Sequence, residues 1–312
     1  MLKNTLLYCF IVVKYQHNIS IISRRTEMKK KIIALLTAVF ALVTGLFVLT
    51  GCSNTPQNGF DIELAKAFAE ETGIELRLQE IKWENKMTEI NSGNIDLIWN
   101  GMTIQPEMEN NLEISNPYMT NSQVMLVRAD SDLTYEKIMA DKDIRITAEG
   151  DSAGAAWIAD NGFENFINAD NQIKTMTEVK ANTADVAVLD SVLANYYITN
   201  DESSFQGELK IVEDESGNIK TLSNEVYGIA AKKGNVGLIA KVNDVLASLY
   251  ADGTMMEIAD KYGLEANITA SSFENYTPQY DSLSAAEKAS WEAIAEKGYI
   301  IVGYTIFAPI AY

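Results

Sequence analysis

The chain has 312 residues, with 25 Lys and Arg against 43 Asp and Glu for a net charge of −18, and a surface this acidic argues against nucleic acid and against electrostatic attraction to a membrane. Its single histidine, His17, and both cysteines, Cys9 and Cys52, fall in the first 52 residues. Beyond them there is no side chain for His-based acid–base chemistry, thiolate chemistry, a disulfide or a Cys/His metal site.

At the amino end, residues 6–13 are apolar but too few to span a bilayer, which needs about 20. From Met28 the order changes to a basic run, Lys29-Lys30-Lys31, an apolar run over 32–49, and then Leu49-Thr50-Gly51-Cys52. This is the layout of a signal peptide, and its end is similar to the lipobox of bacterial lipoproteins, in which the Cys becomes the lipidated amino terminus. The expectation is a dispensable stretch over 1–27 placed ahead of the true start, a signal peptide over 28–51, lipidation at Cys52 and a polar tether over 52–58. The protein would then sit on the extracytoplasmic face of the cell membrane, since two or more acyl chains at about 0.8 kcal/mol per buried CH₂ give stable anchoring. Residues 53–312 carry eighteen basic and forty-two acidic side chains, a net −24, and are enough for one large or two medium lobes.

The body alternates helix and strand. Asp61 is placed to cap a helix whose Leu64, Ala65 and Phe68 share a face and which stops at Gly73. A strand over 74–78, a short helix around Met87 and Ile90, and a buried strand over 95–99 follow, the last running into the turn Asn100-Gly101-Met102-Thr103. Apolar strands over 124–127 and 226–230 flank a second series: a strand over 144–147, a helix over 150–160 and a strand over 185–190. Helices over 236–249 and 254–262, a polar linker from 267, and a helix opened by the capping box Ser284-Ala285-Ala286-Glu287 complete the body. Such alternation implies parallel sheets covered on both faces, with ligands at the carboxyl ends of the strands.

The run Gly59-Phe60-Asp61-Ile62-Glu63-Leu64-Ala65 and the turn at 100–103 resemble those of bacterial extracellular solute-binding proteins of family 3, the amino-acid-binding proteins of ABC importers. That family opens with a buried strand and an aromatic turn ahead of this helix. Here the similar segment, Gly298-Tyr299-Ile300-Ile301-Val302-Gly303-Tyr304-Thr305-Ile306-Phe307-Ala308-Pro309-Ile310-Ala311-Tyr312, comes last. The resemblance thus implies a circularly permuted α/β protein of the two-lobed periplasmic-binding-protein type II fold, its first strand supplied from the carboxyl end over 300–307. Lobe one would take 59–123, 228–266 and, after a linker over 267–283, residues 284–312; lobe two would take 124–227.

The resemblance also implies a binding site. Ser152, where Gly150-Asp151-Ser152-Ala153 opens a helix after a strand, matches a donor to the ligand carboxylate. Asp190, ending the strand Val186-Ala187-Val188-Leu189, matches the acceptor of the ligand ammonium. Asn100, Gly101 and Thr103 match the lobe-one turn that meets the ammonium and carboxylate, and Trp83 and Phe307 match walls around the ligand side chain. One position departs: the family's carboxylate-gripping Arg is Met108. A bidentate Arg is the strongest carboxylate partner available, so either the ligand is not a simple α-amino acid, or another donor serves, or binding has decayed.

The implied function is capture of an amino acid or related small polar solute and its delivery to an ABC permease, without cofactor, metal or catalytic residue. A cyclohexadienyl-dehydratase-like enzyme on the same fold and a rearranged product that does not bind are the alternatives. A monomer is expected, with a strand-swapped dimer as the other way to seat the last strand.

Overall fold

The computed structural model describes residues 58–312; the signal region, most of the tether and Cys52 lie outside the described residues. Helix α1 (Phe60–Thr72) buries Phe60, Leu64, Ala65 and Phe68 and ends at Gly73 in the left-handed conformation. Strand β1 (Glu75–Glu80), helix α2 (Lys86–Ser92) and strand β2 (Leu97–Thr103) follow, and β2 is buried along all but its last residue. After β3 (Leu112–Ile114) and β4 (Met119–Asn121), the chain crosses to a second sheet.

That second unit holds β5 (Gln123–Arg128), α3 (Tyr135–Ala140), β6 (Ile146–Glu149), α4 (Ala153–Asp160), β7 (Phe166–Ala169), α5 (Gln172–Lys180), β8 (Val186–Asp190), α6 (Ser191–Thr199) and β9 (Leu209–Ile211). The chain returns in β10 (Glu225–Lys232), then α7 (Val236–Ala251), α8 (Thr254–Tyr262), α9 (Ala285–Lys297) and β11 (Tyr299–Tyr304). The strand orders are β1-β11-β2-β10-β3, with β4 also on β10, and β7-β6-β8-β5-β9. This is a two-lobed mixed α/β fold.

The last strand is central in the first sheet. It runs parallel to β1, with Glu75 opposite Tyr299 and Glu80 opposite Tyr304, and parallel to β2, with Val302 opposite Leu97. Asp96, just ahead of β2, fixes its start by accepting from Ile301 N at 2.8 Å and from Lys297 Nζ at 2.7 Å. Burial of Ile300 and Val302 then closes the core between α1, α7 and α9, where Trp291 meets Phe68 edge-on.

Three expectations are corrected. Asp61 does not cap α1. The first helical N–H groups are instead satisfied by the end of the chain: Phe60 N donates to Pro309 O at 2.9 Å and Asp61 N to Ile310 O at 3.0 Å. The Asp61 carboxylate, freed from that task, turns inward to accept from Gly101 N at 2.7 Å and from the Tyr118 hydroxyl at 2.8 Å.

The last strand also stops at Tyr304, short of Phe307, because Thr305 gives both its N–H and its hydroxyl to the Asn100 side chain at 2.7 and 2.8 Å. Ile301, within the strand, and Ile306, beyond it, are only half-buried. Lastly, the polar stretch from 267 is docked. Asp244 on α7 accepts from Tyr276 Oη, Gln279 N and Tyr280 N at 2.7, 2.8 and 3.1 Å, and Phe273 is buried against Tyr250.

Candidate functional site

The carboxyl ends of β2, β6 and β8 and the residues after β11 converge on one cavity between the two sheets, where open α/β sheets bind ligands. About 390 Å³ there is not filled by atoms, part of it open to solvent. All eight residues singled out for ligand contact line it: Trp83, Asn100, Gly101, Thr103, Met108 and Phe307 from the first lobe, Ser152 and Asp190 from the second.

The apolar wall depends on a glycine. Gly101 has φ +57°, and a Cβ there would stand 2.7 Å from Phe307 Cε1 and 3.2 Å from the Tyr227 ring. Glycine therefore lets Phe307 lie flush against the β2 turn while adopting a backbone conformation that other residues reach only at a cost. Phe307 is 4% exposed and Trp83, in a short turn before α2, is 8% exposed. Met108 sits in the turn Pro106–Asn110 and packs on the Trp83 cluster.

The polar wall is a web of carboxylates and amides. Asp190 accepts from Gln123 Nε2 at 2.8 Å and from the side-chain amides of Asn121 and Gln172, while its own N–H donates to Gln172 Oε1 at 3.0 Å. Although it precedes α6, its side chain makes no capping bond. Behind it, Glu225 accepts from the same two β4 and β5 amides, Gln123 at 3.0 Å and Asn121 at 3.2 Å, and from the Thr103 hydroxyl at 3.0 Å.

Burial, and then the charge of Glu225, push the Asp190 carboxyl up to about 7, against the pull of the amides. Glu149, at the end of β6, is 4% exposed and its Oε1 has no hydrogen-bond partner. Burial, followed by repulsion from Asp190, raises it to about 8 while Lys86 pulls it down. Two acidic groups in one small cavity are thus raised toward neutral pH, each by desolvation first and then by a neighbouring charge, Glu225 for Asp190 and Asp190 for Glu149.

The lobes are latched at the cavity's edge. Lys86 on α2, 1% exposed, donates from Nζ to Asp151 Oδ2 at 2.6 Å and to Asp151 O at 2.8 Å, and lies 4.9 Å from the centre of the Trp83 ring. Asp151 presents both groups at once through φ +58°, a left-handed conformation in which Asp is among the few tolerated side chains. Next to it, Ser152 caps α4, its hydroxyl accepting from Ala155 N at 3.2 Å.

Glu149, Gln172, Gln123, Glu225, Lys86 and Thr305 are site residues that sequence reasoning missed. Glu149 was within reach of it: it ends a strand just as Asp190 does.

Residues 51–265 match the profile of the bacterial extracellular solute-binding proteins, family 3. The chain is 26% identical over 211 residues to the L-cystine-binding protein TcyJ of Escherichia coli K12, covering 65% of this chain and 73% of that one. To the glutamine-binding protein GlnH of Bacillus subtilis it is 27% identical over 223 residues, covering 70% and 77%. The structure is similar to that of an ABC uptake transporter substrate-binding protein from Streptococcus pneumoniae with bound histidine, with a TM-score of 0.60 and 30% identity over 68% of this chain and 85% of the other. The match spans more than half of the chain and includes most of the residues that line the cavity, so the chain belongs to the bacterial extracellular solute-binding proteins of family 3.

Proposed function

We propose that the protein captures a small polar solute, of the amino-acid class or chemically close to it, between its two lobes and hands it to an ABC permease as a binding protein, without chemistry of its own. The observation that carries this is the cavity into which both lobes project the eight family-matched positions, bridged at its edge by Lys86 and Asp151. Contacts from both sides are what a ligand needs to favour the closed arrangement. We read 59–123, 228–266 and 284–312 as lobe one, 124–227 as lobe two, and the central position of β11 as a circular permutation of the family's order, seated within one monomeric chain. Cys52 would be lipidated and hold the protein at the extracytoplasmic face; no helix among the described residues is long and apolar enough to cross a membrane.

Glu149 and Asp190, with carboxyls raised toward neutrality, are the one feature that favours the dehydratase-like alternative, since general acids are tuned this way. Charge speaks against it: among the described residues no Lys or Arg lines the cavity to meet a dicarboxylate such as prephenate. Mass spectrometry of small molecules released on denaturation, with thermal shifts across the amino acids and close relatives, tests the binding role. A ligand at 100 times its dissociation constant should add about 2.7 kcal/mol of stability. Turnover of prephenate, or silence across the whole panel, would refute it.

A further inference from the structure

The side chains lining the cavity can be counted by charge. Among the described residues Glu149, Asp151 and Asp190 are acidic and none is basic. Glu225 adds a fourth carboxylate behind Asp190, joined to it through Asn121 and Gln123. The buried cation nearby, Lys86, is committed to the Asp151 carboxylate and carbonyl. Met108 lines the cavity at the position where the family resemblance implies an Arg.

The groups that would hold a ligand carboxylate are mostly taken. The Thr103 hydroxyl gives its one proton to Glu225, and the Gly101 N–H donates to Asp61. What remains is neutral: the Asn100 amide, whose Nδ2 has no partner, and the start of α4 at Ser152. Glu149 meanwhile offers an oxygen, Oε1, that is buried and unpartnered. A buried carboxylate oxygen without a donor is costly to leave so, and a cation is its natural complement.

We infer that the cavity takes a small organic cation that bears no carboxylate, an amine or a guanidine, whose positive group sits between Glu149 and Asp190. This rests on the solute-binding reading above and narrows it. A ligand cation would supply the donors that Glu149 lacks and relieve the repulsion between the two carboxyls. A ligand carboxylate would instead lose its water to a site that, among the described residues, is lined by acidic side chains and no basic one.

Matched pairs that differ only by that carboxylate test the inference: agmatine against arginine, cadaverine against lysine, histamine against histidine. Each is titrated calorimetrically into the full-chain protein at pH 8 and low salt, with a melting scan over the remaining amino acids. At least one amine should bind at least tenfold more tightly than its amino acid. Glu149→Gln should weaken that amine at least tenfold while the unliganded protein still melts in one transition, and Met108→Arg should shift the preference toward the amino acid.

An amino acid that binds as tightly as its amine overturns the inference and leaves the binding function standing, as does a response to some other amino acid with none to the six compounds. Equal amine affinity in Glu149→Gln also overturns it. Silence from every compound takes down both readings.

Discussion

Ending the chain at Lys297 would remove β11 and the turn that carries Phe307. Ile300, Val302, Phe307 and Ile310 are each at most 4% exposed, and at about 1.5–3 kcal/mol for each buried side chain they contribute about 6–12 kcal/mol. A whole domain of ordinary stability has about 5–15 kcal/mol. Removal also leaves β1 and β2 as two unpaired inner edges and exposes the first N–H groups of α1. The truncated protein should therefore lose the cooperative urea transition of lobe one, much of its near-ultraviolet dichroism and all solute binding. The point variant Ile300→Ala should fold and lose about 2–5 kcal/mol, the usual cost of such a core truncation. A synthetic peptide of residues 298–312 added to the truncated protein should restore part of the structure. A truncated protein that stays monomeric and melts where the parent does would refute the reasoning.

Three further outcomes follow from particular contacts. Asp151→Ala leaves Lys86 without its carboxylate in the closed form, so affinity for the solute should fall tenfold or more by calorimetry, with the unliganded melting temperature changed by only about 2 °C. Because Asp61, Glu149 and Asp190 are raised to about 7, 8 and 7, the folded protein holds protons that the unfolded chain has released above pH 4. Their contribution is complete below the unfolded values and is lost as pH rises through 7 to 8, so the urea midpoint of the unliganded protein should be lower at pH 8.5 than at pH 5.5, and Glu149→Gln should flatten the change. Gly59→Ala puts a Cβ 2.3 Å from Ile310 O at φ +117° and should cost about 3 kcal/mol or more, whereas Gly73→Ala, with φ +70° and nothing within 4 Å, should cost about 1 kcal/mol; equal melting temperatures for the two would contradict the close approach.

Much of the fold was legible because its signals are local. Strand–helix alternation, the glycine stop at Gly73 and the capping box at Ser284 each depend on a few neighbouring residues, and the structure has all three. The ends of β2 and β8 were readable by the rule that ligands sit beyond carboxyl ends of strands. What could not be read depends on partners far away in sequence. Lys86 looks like a surface lysine until Asp151, 65 residues on, closes over it. Gln123 and Gln172 carry no charge and fit no period, so nothing marks them before β5, β8 and α5 bring them to Asp190. Asp61 has the sequence position of a helix-start acid, and only the carbonyls of Pro309 and Ile310 release it from that role.

The same long reach ties the site to the order of the chain. Asn100 and Thr305 are 205 residues apart, and their two hydrogen bonds set where β11 ends and hence where Phe307 lies against Gly101. Parallel pairing across such a separation bears its loop-closure entropy before its contacts form. Lobe two, by contrast, is built from the continuous stretch β5 to β9, and its half of the site, Glu149, Ser152, Gln172 and Asp190, needs nothing from the last strand. The acidic half of the cavity can therefore be in place while the apolar half still waits for β11. Since the wall formed by Phe307 and the latch from Lys86 both belong to lobe one, ligand capture requires the last strand to be seated even though the carboxylates that would meet the ligand's charge lie in the other lobe.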